Sequence, residues 1–264
     1  MRILCFVIFT LHFLMACSGN SANNNASIFD NTSTQKNTNL SIPDNRYSNT
    51  YKILIFGNSH VIGLDEFLSV LINNGNPAAE IEIYNAAGGF LDNRSTRTAR
   101  NKVLESKPWT HVILQGQKYS QSGAYRYPTT QTMIWIDKTK NLDATPILFP
   151  EHPQRGRTKE AAQVHRIHTG IAKLQKSCIA PVGLAWDKAI IEDPEIPLHS
   201  SDGNHASELG LLLTAYVFYE VITGESATLL PFIEEIIANQ ETQSFLRRMA
   251  SKTIELNQPC NFAI

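Results

Sequence analysis

A serine and an aspartate–histidine pair are the residues of this chain whose types and spacing best fit nucleophilic catalysis. Ser59 follows an apolar run in the stretch ILIFGNSH, and Asp202 lies three residues before His205 in SSDGNHASELG. A serine nucleophile needs a base, and the base needs a partner that orients it. A short loop can bring Asp202 onto one ring nitrogen of His205, although Asp202 could instead cap a helix that begins near His205.

Two further segments carry groups that could stabilise a negatively charged oxygen. Gly88 and Gly89 follow one apolar run, and their backbone N–H groups can approach a substrate closely. Gln115 and Gln117 follow the next run and carry side-chain amide donors. Each feature alone is also typical of a plain turn or of surface glutamines. Their succession, completed by the aspartate–histidine pair, favours an active site.

The elements that must position these residues alternate between apolar runs and amphipathic stretches. Strands are predicted at 52–56, 81–84, 111–114, 146–149 and 179–184, and helices around 64–71 and at 94–105, 130–141, 159–176 and 205–222, with two more within 230–256. This alternation predicts a parallel sheet with helices on both faces. Ligands of such sheets bind beyond the carboxyl ends of the strands, where Ser59 is expected to lie.

The four segments resemble the sequence blocks of the SGNH hydrolases, also called the GDSL esterase/lipase superfamily. The blocks read Gly57-Asn58-Ser59, Gly88-Gly89, Gln115-Gly116-Gln117 and Asp202-Gly203-Asn204-His205, within roughly residues 51–223. The resemblance implies an α/β fold, a three-layer α/β/α sandwich around a flavodoxin-like parallel five-stranded sheet. It also implies that Ser59, His205 and Asp202 form a triad that hydrolyses an ester, thioester or amide.

The resemblance further implies an oxyanion hole made by the N–H groups of Ser59 and Gly89 and by one glutamine side chain. The chain departs from the family pattern at Asn58, which replaces an aspartate, and in the third block, which lacks the usual asparagine. Alignment of that block places Gln117 at the asparagine, whereas a carbohydrate-esterase branch with a QGE pattern favours Gln115. Both remain candidates, with a slight preference for Gln117.

Several loop residues could also line a substrate pocket. Tyr119, Tyr125 and Tyr127 follow the third block, and His152 follows the fourth strand. The tyrosines could equally belong to an ordinary polar loop, and His152 to a solvated one. Trp186 is expected in the core, because large aromatic side chains usually pack there.

Composition and motifs exclude several other classes of protein. The chain carries 23 Lys and Arg against 24 Asp and Glu, so no basic excess points to nucleic acid. The stretch GNH at 203–205 also occurs in metal-dependent phosphoesterases, but their upstream ligand patterns are missing, so no metal and no cofactor are expected. No phosphate-binding loop and no GxSxG motif is present.

The N-terminus has the pattern of a bacterial lipoprotein signal. Arg2 precedes an apolar run that ends in Leu14-Met15-Ala16-Cys17, which predicts a signal peptide at 1–16 and acylation of Cys17. An ordinary signal peptide or an uncleaved anchor is the alternative. Residues 17–50 are rich in Asn, Ser and Thr and are predicted to be a flexible tether to a domain at 51–264. These features predict a lipid-anchored protein of the cell envelope, with Ser18 favouring the outer membrane.

Two cysteines remain in the predicted domain. Cys178 and Cys260 could form a disulfide in an oxidising envelope, or they could be two separate buried thiols.

The sequence therefore predicts an envelope-tethered serine esterase. Its expected substrate is an acylated small molecule or glycan, with an acetyl or other short acyl group on a carbohydrate preferred. One alternative is an acyltransferase to a glycan, since the same triad serves both reactions. Another is a surface lipoprotein that binds a glycan or a partner protein without turnover, as the missing asparagine would suggest.

Overall fold

Apolar runs and amphipathic stretches form strands and helices in alternation through residues 39–262, the part of the chain described by this computed structural model. The strands are β1 (Thr50–Gly57), β2 (Glu80–Ala87), β3 (His111–Gln115), β4 (Thr145–Phe149) and β5 (Cys178–Ile179). The helices are α1 (Leu64–Gly75), α2 (Arg97–Leu104), α3 (Thr130–Lys140), α4 (Glu160–Leu174), α5 (Val182–Glu192), α6 (Glu208–Thr223) and α7 (Gln240–Leu256). Two 3-10 helices lie at Ser59–Val61 and Ala227–Leu229.

The five strands form one parallel sheet in the order β2-β1-β3-β4-β5. Phe56 of β1 pairs with Leu114 of β3, which in turn pairs with Leu148 of β4. The carboxyl ends of these central strands therefore meet at one edge, directly beside the segment that contains Ser59. The predicted α/β fold with a five-stranded parallel sheet and flanking helices is confirmed.

The sheet is buried on both faces, as the nearly continuous apolar runs require. Ile53 and Ile55 point into a core that contains side chains of α1, α5, α6 and α7. Leu54 and Phe56 point to the other face, into a core with side chains of α2 and α3. This alternation follows from the two-residue repeat of a strand, and the two cores pack the sheet between the helical layers.

The fifth strand is shorter than predicted. The sequence predicted a strand at 179–184, but β5 ends at Ile179, and α5 begins at Val182, directly after Pro181. The apolar run was ambiguous, because periodicity alone cannot distinguish a buried strand from the start of a buried helix.

The C-terminal region contains one α-helix where two were predicted. α7 occupies Gln240–Leu256, and residues 230–239 form an irregular segment that buries Ile233 in the core. The side chain of Gln243 accepts a hydrogen bond from Ile233 N–H and donates to the carbonyls of Ile233 and Ala238. These side-chain bonds satisfy backbone groups that a helix would otherwise have paired.

The folded domain begins before residue 51, the predicted boundary. Ile42 is buried in the core, and the side chain of Asn45 donates to the Asp143 carbonyl at 3.0 Å. Lys140 donates to Asn39 Oδ1 and to the Leu40 carbonyl. The predicted tether therefore does not extend through residues 39–50, since the domain binds them.

The remaining N-terminal predictions, namely the signal at 1–16, acylation of Cys17 and a tether over residues 17–38, lie outside the described residues. Within residues 39–262, no helix combines the length and the apolar character needed to cross a bilayer.

A disulfide joins Cys178 and Cys260, which settles the choice between paired and separate thiols. Beside it, Ile179 N–H donates to the Pro259 carbonyl at 2.8 Å. The bond thus attaches the C-terminal segment to β5, the edge strand of the sheet.

Candidate active site

Ser59 lies on a tight turn at the carboxyl end of β1. A side chain at Gly57 would place its Cβ 2.5 Å from Gln115 Oε1 and 2.6 Å from Val61 Cγ1, so only glycine fits there. Asn58 then accepts a hydrogen bond from His60 N–H at 3.0 Å through its side-chain oxygen, which starts the 3-10 helix at Ser59. An aspartate oxygen would accept the same bond, so Asn58 preserves this turn. Ser59 itself is exposed.

The structure brings the serine, the histidine and the aspartate into one chain of hydrogen bonds. Ser59 Oγ lies 2.8 Å from His205 Nε2, although 146 residues separate them in sequence. His205 Nδ1 lies 2.5 Å from Asp202 Oδ2. This is the geometry in which an imidazole can take a proton from a hydroxyl while a carboxylate holds the ring in place.

The second oxygen of Asp202 fixes the loop that carries the histidine. Asp202 Oδ1 accepts bonds from Ser200 Oγ at 2.7 Å, Asn204 N–H at 2.8 Å and His205 N–H at 2.9 Å. The bond with the His205 side chain, supported by these others, holds the pKa of Asp202 well below its ordinary value. The helix that follows is capped by Ser207 instead. The alternative role of Asp202 as a helix cap is therefore wrong.

The loop after β4 holds the histidine loop from the other side. His152 Nε2 lies 3.0 Å from the Asn204 carbonyl, and Gln154 Nε2 donates to Asn204 Oδ1 at 2.7 Å. Arg155 N–H donates to the Gly203 carbonyl at 2.8 Å. A carbonyl only accepts, so His152 Nε2 carries the proton here. His152 is buried and positions this loop, so the predicted alternative of a solvated histidine is wrong.

His205 belongs to a cluster of packed aromatic rings. The His60 ring stacks on His205 at 5.3 Å between centroids and meets the edge of His152 at 4.9 Å. His152 in turn stacks on Trp186 at 3.9 Å. Trp186 is fully buried, as predicted. Burial lowers the pKa of His60 to about 4 and that of His152 to about 3, so both rings are neutral at pH 7 beside His205.

The two predicted backbone donors differ in their availability. Gly89 N–H donates to the Gly57 carbonyl at 2.9 Å and is therefore occupied in this structure. Ser59 N–H has no acceptor among residues 39–262. Buried Arg100 donates to the carbonyls of Gly89 and Phe90 and so fixes the segment after β2. Of the two backbone groups, Ser59 N–H is the one free to meet an oxyanion.

Neither predicted glutamine offers a free amide to the site. Gln117 Nε2 donates to the carbonyls of Lys118 at 2.8 Å and Pro128 at 3.3 Å. Gln115 is fully buried, and its Nε2 lies 2.5 Å from Glu151 Oε2. Its Oε1 accepts the Asn58 N–H at 2.7 Å, so Gln115 supports the turn before Ser59. These hydrogen bonds do not support the oxyanion role predicted for either side chain.

Glu151 is a site residue that the sequence analysis missed. It lies two residues after the apolar strand β4. This position at the carboxyl edge of the sheet could have indicated that Glu151 belongs to the site. Burial raises the pKa of Glu151 to about 7, and hydrogen bonds with Gln115 and Tyr119 oppose that rise. A carboxyl group that titrates near neutral pH therefore lies one hydrogen bond from the residue that supports the serine turn.

The free energy of unfolding should depend on the protonation of Glu151. Because its carboxyl pKa is about 7 in the fold and 4.5 as the ordinary value, the folded state binds the extra proton between these pH values. The free energy of unfolding should therefore fall as the pH rises through this window. Glu151→Gln keeps an acceptor oxygen but cannot titrate, so its unfolding free energy should fall less than that of the wild type between pH 5 and pH 8.

Urea unfolding at both pH values measures this difference, with the exposed Glu195→Gln as a matched control. A Glu151→Gln curve that shifts with pH as much as the wild-type curve would contradict the assignment.

Among residues 39–262, no group of three or more His, Cys, Asp or Glu side chains has the geometry of a metal site.

Comparison with known proteins supports the fold assignment. No protein-family model and no curated protein matches the chain. A DUF4886 family protein from Bacteroides uniformis superposes with a TM-score of 0.63 at 17% identity, over 81% of this chain and 98% of its own. A candidate SGNH hydrolase from Slackia heliotrinireducens gives 0.52 at 20% identity, over 65% and 98% of the two chains. An acetyl xylan esterase from Geobacillus stearothermophilus gives 0.54 at 14% identity, over 71% and 100%. These similarities show that the chain shares its α/β fold with these proteins.

Proposed function

We propose that the protein is a serine esterase that removes acetyl or other short acyl groups from a carbohydrate. One observation carries the proposal: Ser59, His205 and Asp202 form a continuous chain of hydrogen bonds at the carboxyl edge of the sheet. Ligands of parallel α/β sheets bind at that edge. The similar fold of an acetyl xylan esterase supports the choice of an acylated glycan as the substrate.

The proposed reaction begins with proton transfer from Ser59 Oγ to His205 Nε2. The freed serine oxygen attacks the ester carbonyl, and Asp202 stabilises the imidazolium that forms. The Ser59 N–H is placed to donate to the oxyanion. The ester C–O bond then breaks, His205 protonates the departing sugar oxygen, and the acyl group stays on Ser59. A water molecule, deprotonated by His205, attacks this acyl group and releases it as a carboxylic acid, while His205 returns the proton to Ser59 Oγ.

The test of this function is the release of acetate from p-nitrophenyl acetate and from acetylated xylo-oligosaccharides. We expect turnover by the wild type and none above background by Ser59→Ala, with Ser95→Ala as an exposed serine control. Product analysis with an unacetylated acceptor sugar separates hydrolysis from acyl transfer. Equal rates for the wild type and Ser59→Ala would contradict the proposal.

A second candidate function is glycan binding without turnover. The observation that favours it is the engagement of three predicted oxyanion donors, since Gly89, Gln115 and Gln117 all donate to other groups. Glycan binding that Ser59→Ala leaves unchanged, together with no acetate release by the wild type, would favour this alternative over the esterase.

We also propose that Cys17 carries a lipid that anchors the protein in the bacterial cell envelope, at the outer membrane. The apolar run that ends in Leu14-Met15-Ala16-Cys17 supports this proposal. Membrane fractionation tests it: Cys17→Ala should move from the membrane fraction to the soluble fraction, and unchanged partitioning would contradict the lipid anchor.

A further inference from the structure

A cavity of about 580 Å³ lies between the loop after β3 and the helix α4. The loop supplies Tyr119, Tyr125 and Tyr127 to its wall, and α4 supplies Arg166 and Gly170. The size suits one or two sugar rings, since ligand sites in proteins commonly measure about 300–1,000 Å³. The proposed esterase reaction does not account for this cavity.

Two tyrosine rings at the cavity are exposed to solvent. Tyr125 is 60% exposed and Tyr127 is 40% exposed, and their ring centroids lie 4.7 Å apart in an edge-to-face arrangement. Exposed aromatic rings that cluster on a concave surface are typical of binding sites, because their burial by a ligand is favourable. The apolar C–H faces of a sugar ring are suitable partners for these rings.

The charge at the cavity is positive. Its lining includes Lys118, Arg126 and Arg166 and contains neither Asp nor Glu. Lys118 is paired with Asp92 at 2.9 Å. Arg126 and Arg166 have no ion-pair partner among residues 39–262. Two exposed guanidinium groups without a carboxylate partner favour an anionic ligand, because arginine binds planar carboxylates through two parallel hydrogen bonds.

Gly170 keeps one part of the wall free of a side chain. It lies inside α4, where glycine costs about 1 kcal/mol relative to alanine. A Cβ at this position would meet nothing within 4 Å, so no packing contact requires glycine. The absence of a side chain at Gly170 therefore leaves room in the cavity, although the packing around α4 does not require it.

Hydrogen bonds connect the cavity wall to the catalytic turn. Tyr119 donates to Glu160 at 3.1 Å and also bonds with Glu151. Glu151 accepts from Gln115, which accepts the Asn58 N–H directly before Ser59. The cavity and the proposed nucleophile thus share one network at the carboxyl edge of the sheet.

We propose that this cavity binds a sugar carrying a carboxylate, and that the substrate of the enzyme is an acylated acidic glycan. In this arrangement a sugar ring packs on Tyr125 and Tyr127, and its carboxylate bonds with Arg126 and Arg166. The substrate assignment rests on the proposed esterase function, but binding at the cavity does not.

Calorimetric titration of the purified protein with unacetylated oligosaccharides tests the binding, because no hydrolysis is needed for the signal. The probes are galacturonate trisaccharide, its carboxyl-reduced neutral counterpart, a glucuronate-substituted xylotetraose and a short single-stranded DNA. At least one acidic oligosaccharide should bind about tenfold or more tightly than the neutral one. Arg126→Ala with Arg166→Ala should remove this preference.

Gly170 offers a matched pair of variants. Gly170→Trp should fill the cavity and abolish binding, whereas Gly170→Ala adds one methyl group in open space and should preserve it. Circular dichroism and the thermal midpoint confirm that both variants fold. The proposal would be overturned if acidic and neutral sugars bind equally, or if no acidic probe binds at millimolar concentration. Tighter binding of DNA, or undiminished sugar binding by folded Gly170→Trp, would also overturn it. If the wild type binds the acidic oligosaccharide but releases no acetate from any ester, that result would contradict the esterase function alone.

Discussion

Replacement of His205 by alanine is expected to lower kcat for ester hydrolysis by a factor of about 10⁵ to 10⁶. The side chain has two partners, Ser59 Oγ at 2.8 Å and Asp202 Oδ2 at 2.5 Å. Without the imidazole, nothing at hydrogen-bond distance from Ser59 Oγ in the described structure can take its proton. The serine would then remain a neutral hydroxyl, which is a poor nucleophile at pH 7.

Initial rates with p-nitrophenyl acetate measure this loss. His165→Ala is a suitable control, because His165 lies on α4 and contacts none of the three residues; its rate should stay within about twofold of the wild type. A His205→Ala enzyme that keeps more than about one hundredth of the wild-type rate would show that another group serves as the base.

Removal of the disulfide is expected to cause the largest loss of stability. Cys178 and Cys260 are 82 residues apart. Closing a loop of that length lowers the conformational entropy of the unfolded chain, which stabilises the folded state by about 4 kcal/mol. The bond also holds the C-terminal segment against β5, where Ile179 N–H donates to the Pro259 carbonyl. Cys178→Ala combined with Cys260→Ala should therefore lower the free energy of unfolding by about this amount.

Urea unfolding of the double variant beside the oxidised wild type measures the change, and the wild type with a reducing agent provides an independent comparison. A difference below about 1 kcal/mol in both comparisons would mean that the surrounding contacts alone hold the segment.

The local parts of the site could be predicted from the sequence. Asp202 and His205 lie three residues apart, so one loop suffices to join them, and glycine at 57 marks the turn that presents Ser59. The position of Ser59 at the carboxyl edge followed from the alternation of strands and helices, whereas its pairing with His205 was implied by the family resemblance.

The oxyanion donors could not be predicted in the same way. Whether a glutamine amide is free depends on its hydrogen-bond acceptors, which the residue types alone do not indicate. Gln115 donates to Glu151, and Gln117 donates to the carbonyls of Lys118 and Pro128. Gly89 likewise finds its acceptor at Gly57. The short sequence motifs that contain these residues carry no information on such contacts.

The fold was predictable where the elements were long and periodic and less so elsewhere. The strand β1 and the helix α4 appear close to their predicted positions, because the apolar repeats distinguish a strand from a helix there. The whole of α5 was missed, and its first residues were assigned to the fifth strand, because the apolar run around Pro181 is too short to show a period. The irregular segment at 230–239 depends on bonds from the Gln243 side chain, which no local pattern reveals.

The most direct test of the central claim is to locate the residue modified by a fluorophosphonate probe. The purified protein is treated with the probe, digested and analysed by mass spectrometry, beside Ser59→Ala. We expect a single adduct on Ser59, lost in Ser59→Ala and strongly reduced in His205→Ala, because the probe reacts with a serine whose hydroxyl can be deprotonated. An adduct on another residue, or no adduct on a protein that still releases acetate, would contradict the assignment of Ser59 as the nucleophile.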